Sequence, residues 1–372
     1  MNRKSRGRAI IAAAAIGALA LGVAACGSSS SSSSSTDTTA AVGAGGKIAL
    51  LLPETKTARY ETQDKPLFTA KVKELCPDCT VIYSNADQDA AKQQQQAEAA
   101  LTNGAKVLVL DPVDAASAGA IAAQAKAKGV PVISYDRLIS NSDLALYISY
   151  DNEKVGRLQA TSLVNKMTAD GNGSGTIVMI NGAPTDGNAK LFKAGAHSVF
   201  DKSTIKIGAE YDTPDWSPDK AQSEMDQAIT KLGKTGFQGV YAANDGTAGG
   251  AIASMMGAGI NPSTRPTTGQ DAELAAIQRI VAGTQYMTIY KAPNPEASSA
   301  AEAAVASVKA TTPPATTGTT NNGTMDVPSI IFDPVVVTVK NINETVIKDG
   351  TWTAAQICTP PYKAACDAAG IK

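Results

Sequence analysis

Val130-Pro131-Val132-Ile133-Ser134-Tyr135-Asp136-Arg137 is a short apolar run that stops on an acid and a guanidinium, ahead of the loop Ser140-Asn141-Ser142. A strand that ends on charged residues carries them into the crevice at the carboxyl edge of a parallel sheet, where α/β proteins bind ligands. Asp136 offers acceptors and Arg137 a planar fork of donors, a pair that suits a small polyhydroxylated ligand. The plainer reading is a local ion pair that closes a surface loop. The rest of the chain separates the two.

Outward from this stretch the same pattern repeats. Toward the N-terminus, Lys47-Ile48-Ala49-Leu50-Leu51-Leu52 is a buried-type strand stopped by Pro53, and Phe68, Val72 and Leu75 share one face of a following helix. Strands are expected at Thr80 to Ser84 and at Lys106 to Leu110, the latter ending in Asp111-Pro112. Helices are expected over Gln88–Thr102, closed by Asn103-Gly104, and from Asp114 to Gly129. Leu144 to Ser149 gives a fifth strand. After Asp151-Asn152 the series restarts, with strands near 176–180, 205–211 and 237–242 and helices over 153–168, 186–201, 218–232, 247–257 and 272–282. Extended segments follow at 266–269 and 285–290. A helix over 295–309 then leads through the Thr/Pro/Asn-rich 311–324 to the apolar Val327–Val339. Two successive βα series of similar length predict an α/β chain of two doubly wound domains.

With 372 residues and 43% hydrophobic content, the chain is long enough for more than one core. The formal net charge of -1, without basic blocks, excludes nucleic acid as a partner class. The N-terminus reads as an address. Asn2 to Arg8 is basic, Ala9 to Ala25 is apolar, and small residues precede Cys26 as in a bacterial lipobox. Residues 1–26 are therefore expected to be a lipoprotein signal peptide ending at a lipidated Cys26. Residues 27–46, with serines from Ser28 to Ser35, are expected to be a flexible tether on a membrane anchor. Outside the cytoplasm Cys76, Cys79, Cys358 and Cys366 should pair; sequence proximity favours Cys76–Cys79 and Cys358–Cys366 among three connectivities. Cys76-Pro77-Asp78-Cys79 closes a helix, whereas a redox motif opens one. The single histidine, His197, has no paired cysteines beside it, so no zinc site is expected.

Enzyme motifs are missing or misplaced. Gly43-Ala44-Gly45-Gly46-Lys47 precedes its strand and lacks P-loop spacing. Asn244-Asp245-Gly246-Thr247-Ala248-Gly249-Gly250 has the strand–helix context of a dinucleotide site, but Asp245 stands where pyrophosphate needs donors. There is no Gly-x-Ser-x-Gly elbow, and one histidine leaves little scope for a triad. What recurs is the type of ending: Asp136-Arg137, Asp186 with Asn188, Asn244, Asp271 and Lys291 close extended runs with hydrogen-bonding groups. Tyr60, beside Arg59, and Trp216 add flat apolar faces past two more strands. Sugar rings present hydroxyls at the edge and C–H patches on the faces, so this set fits a monosaccharide held between both halves.

The same residues carry a family resemblance. Val132-Ile133-Ser134-Tyr135-Asp136-Arg137-Leu138-Ile139, Tyr147 to Gly156, Asp186 to Phe192, Asn244 to Gly250, Gly269-Gln270-Asp271-Ala272 and Ala282 to Gln285 occur in order, and together they resemble the sugar-binding proteins of ABC transporters, D-xylose-binding branch. The resemblance implies a type I periplasmic binding protein fold: two doubly wound Rossmann-like lobes with parallel sheets, joined by a three-crossing hinge. The lobes would be 47–150 plus 290–327 and 151–289 plus 328–372. It implies ligand contacts at Arg59, Tyr60, Asp136, Arg137, Asp186, Asn188, Trp216, Asn244, Asp271 and Lys291, with no cofactor, metal or catalysis. The family pattern has tryptophan after an arginine where this chain has Tyr60, which leaves the choice among related aldoses open. The expected role is that of a monomeric, lipid-anchored extracytoplasmic protein that delivers a monosaccharide to an ABC permease by hinge closure. The alternatives are a sugar sensor for a membrane receptor, or a sugar-active enzyme on this fold. Replacing Asp136 by Ala is expected to abolish ligand stabilisation and leave the unliganded chain folded.

Overall fold

The computed structural model describes residues 45–372. Cys26, the signal segment and all but the last two tether residues lie outside the described span. Among the described residues no helix is long and apolar enough to cross a membrane.

The first half alternates β1 (Lys47–Leu52), α1 (Lys65–Leu75), β2 (Thr80–Asn85), α2 (Ala90–Thr102), β3 (Ala105–Leu110), α3 (Gly119–Ala127), β4 (Val132–Tyr135) and β5 (Leu146–Tyr150). The second runs α4 (Asn152–Ala169), β6 (Thr176–Asn181), α5 (Gly187–Phe200), β7 (Lys206–Asp212), α6 (Pro218–Leu232), β8 (Gly239–Ala242), α7 (Asp245–Gly257), α8 (Leu274–Val281) and β9 (Thr288–Tyr290). The chain ends with α9 (Pro293–Lys309), β10 (Gly318–Asn321), β11 (Asp326–Phe332), β12 (Val335–Val337), α10 (Ala354–Ile357) and α11 (Lys363–Ala369).

The first sheet has the order β10-β11-β5-β4-β3-β1-β2, parallel except for the edge strand β10. Its strand order reverses between β1 and β3, the switch point where doubly wound sheets leave a crevice. In the second sheet β7, β6 and β8 are parallel, and parallel bridges Val240–Thr267 and Gln270–Ile289 extend them toward β9, which pairs antiparallel with β12. The first sheet is covered on one face by α1 and α9 and on the other by α2 and α3, because its strands are apolar on both sides.

The chain passes between sheets after Tyr150, after Tyr290 and after Phe332. The last passage lies within the segment 330–336 that the resemblance implies for it, although the lobe boundary drawn at 327/328 precedes it. Ser329 to Phe332 pair with Tyr147 to Tyr150, so these residues belong to the first sheet. The Thr/Asn-rich stretch before it is not irregular throughout, since β10 pairs antiparallel with β11 at the sheet edge. Cys76 joins Cys79 between α1 and β2, and Cys358 joins Cys366 across the tail. The tail packs Ile342, Val346, Ile357 and Cys366 against α8.

Candidate functional site

The strand ends converge on one enclosed space between the two sheets. Its walls are Thr57, Tyr60, Asp136, Arg137, Asp186, Asn188, Phe192, Trp216, Asn244, Gln270, Asp271 and Lys291.

Asp136 is its hub. It follows β4 with a φ of 54°, a left-handed conformation that aspartate tolerates better than most residues. Its backbone carbonyl holds that turn by accepting from Ser149 Oγ (2.6 Å), Asn188 Nδ2 (3.0 Å) and the Tyr147 hydroxyl (3.2 Å). Its carboxylate accepts from Lys291 Nζ at 2.8 Å and from the Tyr60 hydroxyl at 2.9 Å. Burial alone would raise this carboxyl, but Lys291 and Arg59 outweigh it and hold Asp136 below the usual carboxylate range.

Arg137 does not pair with its neighbour. Its Nε lies 3.0 Å from Asp186 Oδ2 and 3.5 Å from Asp111 Oδ1, and Nη2 lies 3.7 Å from Glu54 Oε1. The local ion pair that the stretch 130–137 allowed is thus absent, and the two side chains are bridged by the Tyr60 hydroxyl, which accepts from Arg137 Nη2 at 3.2 Å and donates to Asp136. Asp186 caps α5 by accepting from the Asn188 amide at 2.8 Å, and its other oxygen accepts from Trp216 Nε1 at 3.0 Å. Trp216 sits at φ 52° after Asp215 at φ 60°, and its ring occupies the space beside Gly182 that any Cβ there would fill. Asn244 caps α7 through Thr247 N at 2.9 Å, while Asp271 stands at φ 95°. Backbone strain of this kind collects where a site over-determines its geometry. Burial raises the Asp271 carboxyl, although Lys291 and Arg59 oppose it.

Arg59 is the one expected contact residue that the wall does not include. It sits on a helical turn rather than in an open loop, so its guanidinium folds back. Nε and Nη2 bind Asp64 at 2.9 and 2.6 Å, and Nη2 also binds Glu296 at 2.7 Å. Only Nη1 faces the crevice, 3.9 Å from Asp136 and 4.0 Å from Asp271, without a hydrogen-bond partner. Arg59 therefore backs the site from one layer behind. Burial pushes Glu296 up to about 8 despite Arg59, and pushes Asp111 well above the carboxylate range.

Thr57, Phe192 and Gln270 join the wall without having been chosen from the sequence as ligand contacts. Phe192 had a signal, since it lies four residues after Asn188 on α5 and so shares its helix face. Among the described residues no group of three or more His, Cys, Asp or Glu is placed to hold a metal ion. The wall offers fixed donors and acceptors.

A family model described as "Periplasmic binding protein domain" matches residues 48–312. The D-xylose-binding periplasmic protein of Escherichia coli (strain K12) is 38% identical over 308 residues, which is 82% of this chain and 90% of that protein. The multiple sugar-binding periplasmic receptor of Rhizobium radiobacter is 33% identical over 288 residues, covering 73% of this chain and 81% of that one. Among solved structures, an ABC transporter solute-binding protein from Clostridium phytofermentans with bound β-D-glucose matches at a TM-score of 0.76 and 29% identity, covering 84% of this chain and 99% of that chain. The chain belongs to the family of periplasmic binding protein domains, on an α/β fold of mostly parallel sheets, and is a solute-binding protein rather than an enzyme.

Proposed function

We propose that this chain captures a monosaccharide, D-xylose or a closely related aldose, in the space between its two sheets and delivers it to an ABC permease. Closure of the two halves around the sugar is the signal the permease reads. The ten sequence-chosen residues are its ligand set, Arg59 acting from behind the wall. The observation that carries the reading is the wall itself, a closed ring of planar and charged groups drawn from both halves and flanked by Tyr60, Trp216 and Phe192. Hydroxyls both donate and accept, so a sugar edge meets Asp271 and Asn244 on one side and Asp136, Arg137 and Lys291 on the other. The D-xylose-binding and multiple sugar-binding names of two relatives support the substrate class. Lipidation at Cys26 and a monomeric state complete the proposal, because a single-chain carrier tethered at the membrane stays close to its permease.

Thermal-shift and calorimetric titration of the purified chain against a panel of monosaccharides tests this. Stabilisation by D-xylose or a close aldose is expected, about 2.7 kcal/mol at a hundredfold excess over Kd. If no monosaccharide stabilises the chain, the proposal fails.

A further inference from the structure

The loop after β1 turns three consecutive amide groups toward carboxylates. Lys56 and Thr57 N–H donate to Oε2 of Glu54, within the same loop, at 2.5 and 2.9 Å. The next amide, of Ala58, donates across the crevice instead, to Oε1 of Glu273 at 3.1 Å. Glu273 stands two residues after Asp271, at the start of α8, and its side chain makes no capping bond to that helix. Neither Ala58 nor Glu273 lines the ligand space. Both border a second groove behind Arg59 and Asp271. A further rung spans that groove: Gln63 Nε2 donates to the Thr351 carbonyl at 3.3 Å. Thr351 is held in turn by the Tyr290 hydroxyl at 2.6 Å, and the neighbouring Trp352 donates to the Ala272 carbonyl at 2.8 Å.

We propose that Glu273 is the latch of the closed state, accepting the Ala58 amide only when the two halves meet and so setting how fast a captured ligand leaves. Ala58 lies on the loop that follows β1 of the first sheet, and Glu273 on the segment leading into α8 in the second half. Opening the crevice separates them and hands the amide to water. The bond adds to the closed state alone, without touching the ligand. It therefore acts on release and leaves capture unchanged, as contacts made after encounter do. Gln63 with Thr351 adds a second, weaker rung in the same seam. Burial, to which Asp245 and Asp271 add, pushes the Glu273 carboxyl up to about 8, so a neutral acceptor prevails at pH 7 and glutamine reproduces it.

The latch rests on the sugar-binding reading, and the experiment keeps the two apart. Stopped-flow association and chase with D-xylose are run on the full chain and on Glu273→Ala, Glu273→Gln, Ala58→Pro and Gln63→Ala. Glu273→Ala is expected to release D-xylose about three- to tenfold faster with an unchanged association rate. Ala58→Pro, which removes the donor, should match it, Glu273→Gln should stay near wild type, and Gln63→Ala should shift less in the same direction. Ala58→Pro also carries the test if Glu273→Ala does not fold. Release unchanged in both Glu273→Ala and Ala58→Pro overturns the latch, as does equal acceleration in Glu273→Ala and Glu273→Gln. If the wild-type chain binds no monosaccharide, the functional reading fails first. Small-angle scattering of the ligand-free chains then decides the latch: a larger radius of gyration for Glu273→Ala but not Glu273→Gln supports it, and superimposable curves overturn it.

Discussion

Asp136→Asn is the most informative single change to the site. Asparagine keeps the volume and tolerates the positive φ at this position, so the substitution removes little besides charge. Lys291 Nζ, 2.8 Å from Oδ1 and buried, then faces a neutral amide. Breaking a buried pair costs about 3–5 kcal/mol. Asp271 still acts on Lys291, which favours the lower end, about 3 kcal/mol. At roughly 2–4 °C per kcal/mol for a large domain, the unliganded melting temperature should fall by roughly 6–12 °C. The sequence alone treats loss of this carboxylate as harmless to the empty fold; the buried lysine says otherwise. The proposed stabilisation by D-xylose should vanish as well. Because Asp136 is held below its unfolded value, its contribution is complete above an unfolded pKa of about 3.9 and is lost as pH falls further through the folded value. The gap between wild type and variant should therefore be constant from about pH 8 to about pH 5 and narrow below about pH 4. Differential scanning fluorimetry across that range, with and without sugar, reads all three quantities. An unchanged melting temperature together with an unchanged sugar shift would refute both the Lys291 pairing and the ligand role.

Glu296→Gln tests the opposite sign. A carboxyl raised to about 8 by burial contributes stability that is complete below its unfolded value and is lost as pH rises through the folded one, so wild type should weaken between about pH 4 and 8 while the variant does not. Parallel urea melts at pH 5 and 8 that shift equally for both chains would contradict this. Trp216→Phe should keep the fold and weaken sugar binding roughly tenfold, through lost ring area and the lost N–H to Asp186; calorimetry giving wild-type affinity would remove Trp216 from the ligand set. Replacing Cys358 and Cys366 by serine opens a short loop whose closure is worth about 2–3 kcal/mol. Amide exchange should quicken over 353–371 and stay unchanged in β1 to β5, and uniform exchange in both chains would count against a local role for the bridge.

The sheet was legible because its strands are buried on both faces and therefore read as unbroken apolar runs, each stopped by a polar group. That same stop made Asp136, Asp186, Asn244, Asp271 and Lys291 visible. β10 was not legible, since Gly318-Thr319-Thr320-Asn321 has loop composition and becomes a strand only by pairing with β11. The position of Arg59 behind the wall has a similar origin. Its orientation is set by Asp64, one helical turn on, and by Glu296, which lies 237 positions away. Proximity to Tyr60 in sequence could not reveal either. Trp216 reads equally well as a core aromatic from its sequence, and only the positive φ values at Asp215 and Trp216 turn it into the wall.

Buried around this site are Glu54, Asp64, Asp111, Asp136, Asp186, Asp271 and Glu296, against only Arg59, Arg137 and Lys291. Stability does not explain such an excess, because ion pairs taken out of water return little net free energy and unpaired carboxylates cost several kcal/mol. The fold tolerates it by keeping some of these acids protonated, as the raised Asp111 and Glu296 indicate. It also leaves groups at the crevice without a hydrogen-bond partner, Arg59 Nη1 and Gln270 Oε1. A polyol brings hydroxyls that donate and accept together, and can satisfy leftover groups of either sign that no single ion could. A preorganised shortage of partners, held in place by two sheets, favours the bound state over a state of the same fold with nothing between them. The same shortage penalises a ligand with one hydroxyl missing or turned, because a desolvated acceptor is then left unpaired. In the proposed function, selectivity among aldoses follows from which of these orphaned atoms a given sugar reaches.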